Sequence, residues 1–448
     1  MKENRLHEGL YLFFYTLLLL SLLSILPGAS LGDFRLKEIN LISDISKTIL
    51  PPPVKVDSVV KENPVPIKRN SRCPKGIVCL EDYSTDNKGL QPFVQKLKRH
   101  KSEPVRIAFF GDSFIEGDIL TGPLRDTLQK LFDGRGQGFM PVYSEVAKFR
   151  TTIKHEFEQL QQKSIIGKYT TEPMFGPAGQ MTRALQDNWI SYSPGKNQKK
   201  LERLSLLYSN PNGGTVHITL NDTIERELNL VPEPLLGRLL LTEAGATSIR
   251  LNFNSADSTN LYGVIAEGSS GVYVDNLAMR GNSGLALTRI QSKIFARLKS
   301  IRPYHLIVLQ FGLNVVAEQD STDYSWYVAG MKNVINHFRE AFPESSVLVV
   351  GISDRSINTD GGFKTMPAVM RMRNAQRRIA EKTGVLFWDT FEAMGGENSM
   401  VKLAAAQPPL AGKDHTHLNA RGGQMLAGKL AKALLFEIKQ YEDSRTAH

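Results

Sequence analysis

The chain has 448 residues, 41% of them hydrophobic and 22% charged, with a formal net charge of +10. That length allows two or three domains with proper cores, and the composition is that of an ordinary globular protein. The basic residues are spread out, and their densest cluster (Lys96, Lys98, Arg99, His100 and Lys101) ends a predicted helix, where cations favour the dipole. No nucleic acid is therefore expected as a partner; an acidic glycan or a membrane surface suits the excess charge better.

Residues 10–26 are almost wholly apolar, follow Lys2 and Arg5, and end at Pro27-Gly28-Ala29-Ser30. The run is longer than a usual signal-peptide core and slightly short for a relaxed transmembrane helix. Residues 1–30 read as a signal or anchor segment, with an uncleaved anchor favoured over a cleaved signal. The flanking Lys and Arg counts orient it only weakly. Residues 31–101 read as an extended spacer, marked by Pro51-Pro52-Pro53 and Pro64-Val65-Pro66, with a short helix near 90–100. Cys73 and Cys79 are the two cysteines of the chain. Downstream of an export segment they read as a local disulfide, with free thiols the alternative; without nearby histidines they make a poor zinc site.

Residues 105–118 hold an apolar, β-prone run that stops at Gly111-Asp112-Ser113, and a helical pattern follows over 119–132. A serine on such a strand-turn-helix has its hydroxyl at the end of a strand and its N–H near a helix start, which suits a nucleophile. The plainer alternative is a serine that caps the helix. Short alternating runs then follow, such as Thr215-Val216-His217-Ile218-Thr219-Leu220, separated by turns rich in Asn, Gly, Asp and Pro. They predict an antiparallel β-sandwich over 143–270, inserted between the two parts of an α/β domain (102–142 and 271–448). After it, strands over 271–279, 305–311, 346–351 and 385–388 alternate with helices over 285–301, 324–342, 367–383 and 421–441. With the strand before Ser113 this gives five apolar strands, which predicts a parallel sheet between helical layers.

Sites in open α/β sheets form at the carboxyl ends of strands. The informative ends are Gly111-Asp112-Ser113, Arg280-Gly281-Asn282-Ser283-Gly284, where a glycine lets a backbone N–H approach a ligand, and Gly312-Leu313-Asn314, which offers an amide. Asp414-His415-Thr416-His417 lies before the last helix, and one turn can bring the Asp414 carboxylate to the His417 imidazole. His415 is an alternative base, Gly284 an alternative to Gly281, and Glu116 or Asp118 alternative acids or metal ligands. Carboxylates after a turn more often charge a helix start. Asp112 reads as a structural partner in the serine loop.

These four blocks in this order resemble the SGNH (GDSL) hydrolase superfamily, over about 102–142 and 271–442. The resemblance implies a three-layer α/β/α fold with a five-stranded parallel sheet and acyl transfer through a serine ester. It implies Ser113, Asp414 and His417 as catalytic residues, an oxyanion hole of the Ser113 and Gly281 N–H groups with the Asn314 amide, and no cofactor or metal. Phe114 and Val315 depart from the family's usual Leu and Asp. The inserted sandwich is similar to the arrangement in peptidoglycan O-acetylesterases of Gram-negative bacteria, where it looks like a carbohydrate-binding module. This implies an exported esterase at the periplasmic face of the inner membrane, acting on an acetylated envelope glycan. An anchor plus an inserted β domain also resembles SGNH proteins that partner a membrane-bound O-acyltransferase, so an O-acetyltransferase is a second expectation. A non-catalytic glycan-binding protein is a third, and a lipase is weaker, since no long apolar lid is apparent.

Overall fold

Five apolar runs lie side by side in one sheet, in the order Gly271–Ala278, Pro104–Gly111, Leu306–Gln310, Ser346–Val350 and Leu386–Trp388, all parallel. The computed structural model describes residues 64–446 apart from 159, 186, 196–197, 254–258 and 318–322, together with Tyr11, Tyr15, Ser30, Leu31, Phe34 and Arg35. The chain divides into two units, Met1–Asn63 and Pro64–His448. In the first, Ser30–Leu31 pairs antiparallel with Phe34–Arg35. Nearly all of the apolar run 10–26 and the spacer up to residue 63 lie outside the described residues. Among the described residues no helix is long and apolar enough to cross a membrane.

In the second unit the parallel strands are buried along nearly their whole length, as strands covered on both faces must be. Helices Gln91–Leu97, Thr121–Phe132 and Ala420–Thr446 pack together as one layer, and Ser292–Ile301, Ser325–Ala341 and Pro367–Thr383 as the other. A sixth strand, Glu81–Asp82, runs antiparallel along Leu386–Trp388. The sequence placed this segment in the spacer, because two acidic residues carry no β pattern. What holds them is charge: Glu81 is fully buried and accepts from Arg377 at 2.7 Å and 3.0 Å, from Arg69 at 3.2 Å and from the Tyr83 hydroxyl. The spacer expectation therefore fails from about residue 64 onward, where the chain is built into the α/β unit. Cys73 and Cys79 form a disulfide in this stretch.

Residues 138–266 build two antiparallel sheets. The first holds strands Glu233–Thr242, Leu204–Asn210, Asn260–Ala266, Gln180–Arg183 and Gln161–Ser164, with Gly138–Met140 also paired to Asn260–Ala266. The second holds Ile224–Leu230, Gly214–Leu220, Ile249–Phe253, Asn188–Pro194 and Ile153–Glu158. Leu206, Tyr208 and Val264 of the first share one apolar cluster with Ile190, Ile218 and Leu251 of the second. The opposite side chains of the first sheet, Leu207, Leu236 and Ile265, belong to the core of the α/β part instead. Leu204–Asn210 is accordingly buried along its whole length, whereas Gly214–Leu220 alternates.

Buried ions reinforce this junction. Arg302, fully buried, binds Asp275 and Glu267, and Glu267 also receives Arg106 and Arg238. Helix 285–301, expected as continuous, is instead a 3₁₀ turn, Leu285–Arg289, and a helix, Ser292–Ile301. Ile290 and Gln291 between them are extended, and the Ile290 carbonyl freed by the break accepts from His337 at 2.8 Å. Between Ser346–Val350 and Pro367–Thr383 the chain forms an unanticipated hairpin, Ser356–Thr359 with Gly362–Thr365. Its signal was present in Asp360-Gly361-Gly362, a turn sequence between Ile357 and Phe363.

Candidate active site

Strand register explains why distant blocks meet. Gly111 pairs with Ala278 on one side and Gln310 on the other, so the three strands end at the same level. The residues that follow, Ser113, Gly281 and Asn314, therefore leave the sheet into one crevice. Its position is where the strand order reverses, since the chain passes from Pro104–Gly111 to Gly271–Ala278 on one side and then to Leu306–Gln310 on the other, the expected place for a ligand.

Ser113 opens a 3₁₀ turn, Ser113–Asp118, capped by Asp112, whose Oδ1 accepts from the Phe114 N–H at 2.9 Å. The first N–H groups of such a turn have no acceptor within it, so that of Ser113 is available to a ligand. Ser113 Oγ lies 2.9 Å from His417 Nε2, and His417 Nδ1 lies 2.7 Å from Asp414 Oδ2. Asp414 Oδ1 accepts from the N–H groups of Thr416 and His417, both at 3.1 Å, which folds the loop into a turn and leaves Oδ2 for the imidazole. Burial would raise the Asp414 pKa, but the hydrogen bonds from the His417 side chain and from these backbone groups outweigh it and hold it below the usual value. A carboxylate can only accept, so Nδ1 carries the ring proton and Nε2 accepts from the Ser113 hydroxyl. The set is ready for proton transfer from serine to histidine.

Gly281 is exposed with φ +76, and a Cβ there would meet nothing nearer than Ile166 at 4.0 Å. Its N–H makes no hydrogen bond among the described residues. Gly284 differs: its N–H is taken by Asn282 Oδ1 at 2.9 Å, and a Cβ would strike the Phe311 ring at 2.8 Å, so packing accounts for this glycine. Asn314 donates to Asp112 Oδ2 and to the Asn282 carbonyl, each at 3.2 Å. Asp112 is fully buried, and burial pushes its pKa up to about 7 although the Phe114 N–H and the Asn314 amide pull it back.

The alternative acids and base are engaged with other partners. Asp118 is buried between Arg150 and Arg125, at 2.8 Å and 3.3 Å, with Thr121 and Asn276 also bonded to it. Burial opposes its ionisation, yet the two guanidinium groups hold it far below the usual carboxylate range, so it is fixed as an anion and cannot serve as an acid. Glu116 is half-buried and paired with Arg280; burial raises its pKa against that partner's pull. His415, in a left-handed conformation with φ +48, stacks on Phe363 with ring centroids 3.8 Å apart, away from the hydroxyl. The hairpin that supplies Phe363 also receives the His415 carbonyl on the Ser356 N–H at 3.0 Å, and neighbouring Arg355 donates to the Leu313 carbonyl at 3.0 Å. It thus braces both the His417 loop and the Asn314 loop, a role sequence patterns did not reveal.

Fold and geometry define a class: a three-layer α/β unit with a Ser-His-Asp relay at the strand ends, the arrangement of serine hydrolases that act on acyl groups. Residues 244–425 match the model of the GDSL-like Lipase/Acylhydrolase family, a span that holds Gly281, Asn314, Asp414 and His417. Ser113 lies outside that span because the antiparallel strands separate its block from the others. The SGNH resemblance is thereby upheld, and the protein is by class an ester-bond hydrolase. Its fold is similar to that of a solved peptidoglycan O-acetylesterase, with TM-score 0.67 and 20% identity, covering 81% of this chain and 99% of that one. Weaker likenesses include an acetyl xylan esterase from Geobacillus stearothermophilus (TM-score 0.25, 20% identity, 38% of this chain and 73% of that one). Another is a salicylyl-acyltransferase from a tetracycline biosynthetic pathway (TM-score 0.29, 12% identity, 63% and 97%). No curated protein matches the chain in sequence.

Proposed function

We propose that this protein is an exported serine esterase that removes O-acetyl groups from a cell-envelope glycan through an acyl-serine intermediate. The observation that carries the reading is the continuous chain from Ser113 Oγ through His417 to Asp414, at 2.9 Å and 2.7 Å. His417 takes the serine proton as Oγ attacks the acetyl carbonyl, and Asp414 stabilises the imidazolium. The Ser113 and Gly281 N–H groups receive the oxyanion, joined by the Asn314 amide, which gives up its long bond to the Asn282 carbonyl. His417 then returns the proton to the departing sugar oxygen. Water, deprotonated by the same imidazole, attacks the acetyl-serine, and the proton passes from His417 to Ser113 Oγ as the ester bond breaks and acetate leaves. The side chains of His417 and Asp414 are 36% and 52% exposed, so water reaches the imidazole that activates it.

The glycan is suggested by the fold relative, itself a peptidoglycan O-acetylesterase. In this reading the two antiparallel sheets are an inserted, carbohydrate-binding β-sandwich, residues 10–26 anchor the chain at the periplasmic face of the inner membrane, and a membrane-bound O-acyltransferase is its partner in the envelope. Labelling the purified protein with a fluorophosphonate tests the reaction class. Label on Ser113, and loss of both label and aryl acetate hydrolysis in Ser113→Ala, are expected; label elsewhere, or turnover unchanged in the variant, overturns the reading.

A further inference from the structure

Beside the serine loop a cleft of about 100 Å³ lies between the α/β part and the antiparallel sheets. Glu116 and Arg280 line one side, three residues after Ser113 and directly before Gly281; Glu145, Gln162 and Gln180 line the other. The Gln162 amide nitrogen is buried from solvent and has no acceptor among the described residues. An unmet buried donor costs free energy, so such a group at a cleft wall is suited to an acceptor carried by a ligand. The local charge narrows the ligand class. Arg280 is paired with Glu116 and lies 4.0 Å from Glu145, while Arg150, the other cation in the wall, is committed to Asp118. Two carboxylates thus share one available guanidinium, and an incoming anion meets net repulsion despite the chain's overall +10.

We propose that this cleft is a subsite for a neutral sugar unit adjoining the acetylated one, held by a hydrogen bond from Gln162, and that it discriminates against uronate-bearing glycans. The proposal rests on the esterase reading above. Gln162 and Gln180 stand on paired strands, Gln161–Ser164 and Gln180–Arg183, with Ser164 opposite Gln180, so the strand ladder sets both side chains on one face before the ligand arrives.

The test compares the wild type with Gln162→Leu and Glu145→Gln on three probes: 4-nitrophenyl acetate, an O-acetylated N-acetylglucosamine oligomer and O-acetylated polygalacturonate. Losing one hydrogen bond predicts a KM for the neutral oligomer about three- to tenfold higher in Gln162→Leu, with aryl acetate turnover within about twofold of wild type. Glu145→Gln is expected to narrow the preference for the neutral oligomer over polygalacturonate. Binding of the deacetylated neutral oligomer to Ser113→Ala needs no turnover, and adding Gln162→Leu to that protein is expected to weaken it by the same factor. An unchanged oligomer KM, an equal loss on aryl acetate, or a wild-type preference for polygalacturonate overturns the subsite. A wild type inert toward aryl acetate overturns the esterase reading instead, while the binding arm still decides the subsite.

Discussion

Asn314 donates its side-chain amide to Asp112 Oδ2 at 3.2 Å, so the residue before the serine holds a residue in the loop that follows the neighbouring strand. The two loops that frame the crevice are joined by this one bond, across 202 positions of sequence.

The burial of Asp112, which this contact only partly offsets, predicts a pH dependence of stability. Burial pushes Asp112 up to about 7, above the value of about 4 for an exposed aspartate. The folded protein keeps this proton between those two pH values, where the unfolded chain has lost it. The stabilisation is therefore full below about pH 4, falls as pH rises to about 7, and stays flat above. Asp112→Asn is expected to lessen the loss of urea stability between about pH 4 and pH 7, by an amount on the order of a few kcal/mol. Glu437, also pushed up to about 7, leaves part of the slope in place. Equal slopes in wild type and variant would remove this account.

Asn314→Ala is expected to lower aryl acetate turnover by about 10²–10³-fold, the usual cost of one oxyanion donor, with KM little changed. Steady-state kinetics decide it. A turnover loss below about threefold would show that the Asn314 amide stays with the Asn282 carbonyl throughout the reaction.

Asp118→Asn should cost stability first. It leaves Arg125 and Arg150 buried without their shared anion, a change worth about 3–5 kcal/mol in urea unfolding. A variant as stable as wild type would mean that the two guanidinium groups do not depend on the Asp118 charge.

Phe363→Ala withdraws the ring on which His415 stacks, two residues from His417. A misplacement of the base within its turn predicts a kcat loss on the order of tenfold with KM unchanged, and Phe363→Tyr, which keeps the ring, is expected to restore it. If KM rises instead, Phe363 contacts substrate rather than positioning the loop.

Much of this molecule is local in origin. The five buried strands are near-continuous apolar runs, and Asp414 and His417 close their turn through groups three residues apart, so both could be read from sequence. Ser113 and His417, in contrast, are 304 positions apart, and their 2.9 Å contact follows from strand order and register, which no local pattern encodes. Glu81–Asp82 joins the sheet only because Arg377 and Arg69 arrive to neutralise Glu81. The division of labour between Gly281 and Gly284 is likewise tertiary: the Phe311 ring fills the space beside one and leaves the other open. Chain pattern determined which segments fold as strands, helices and turns, because backbone preference and the alternation of apolar residues act over a few positions. Packing decided which of their polar groups are silenced by partners and which face a ligand, because that depends on neighbours hundreds of residues away.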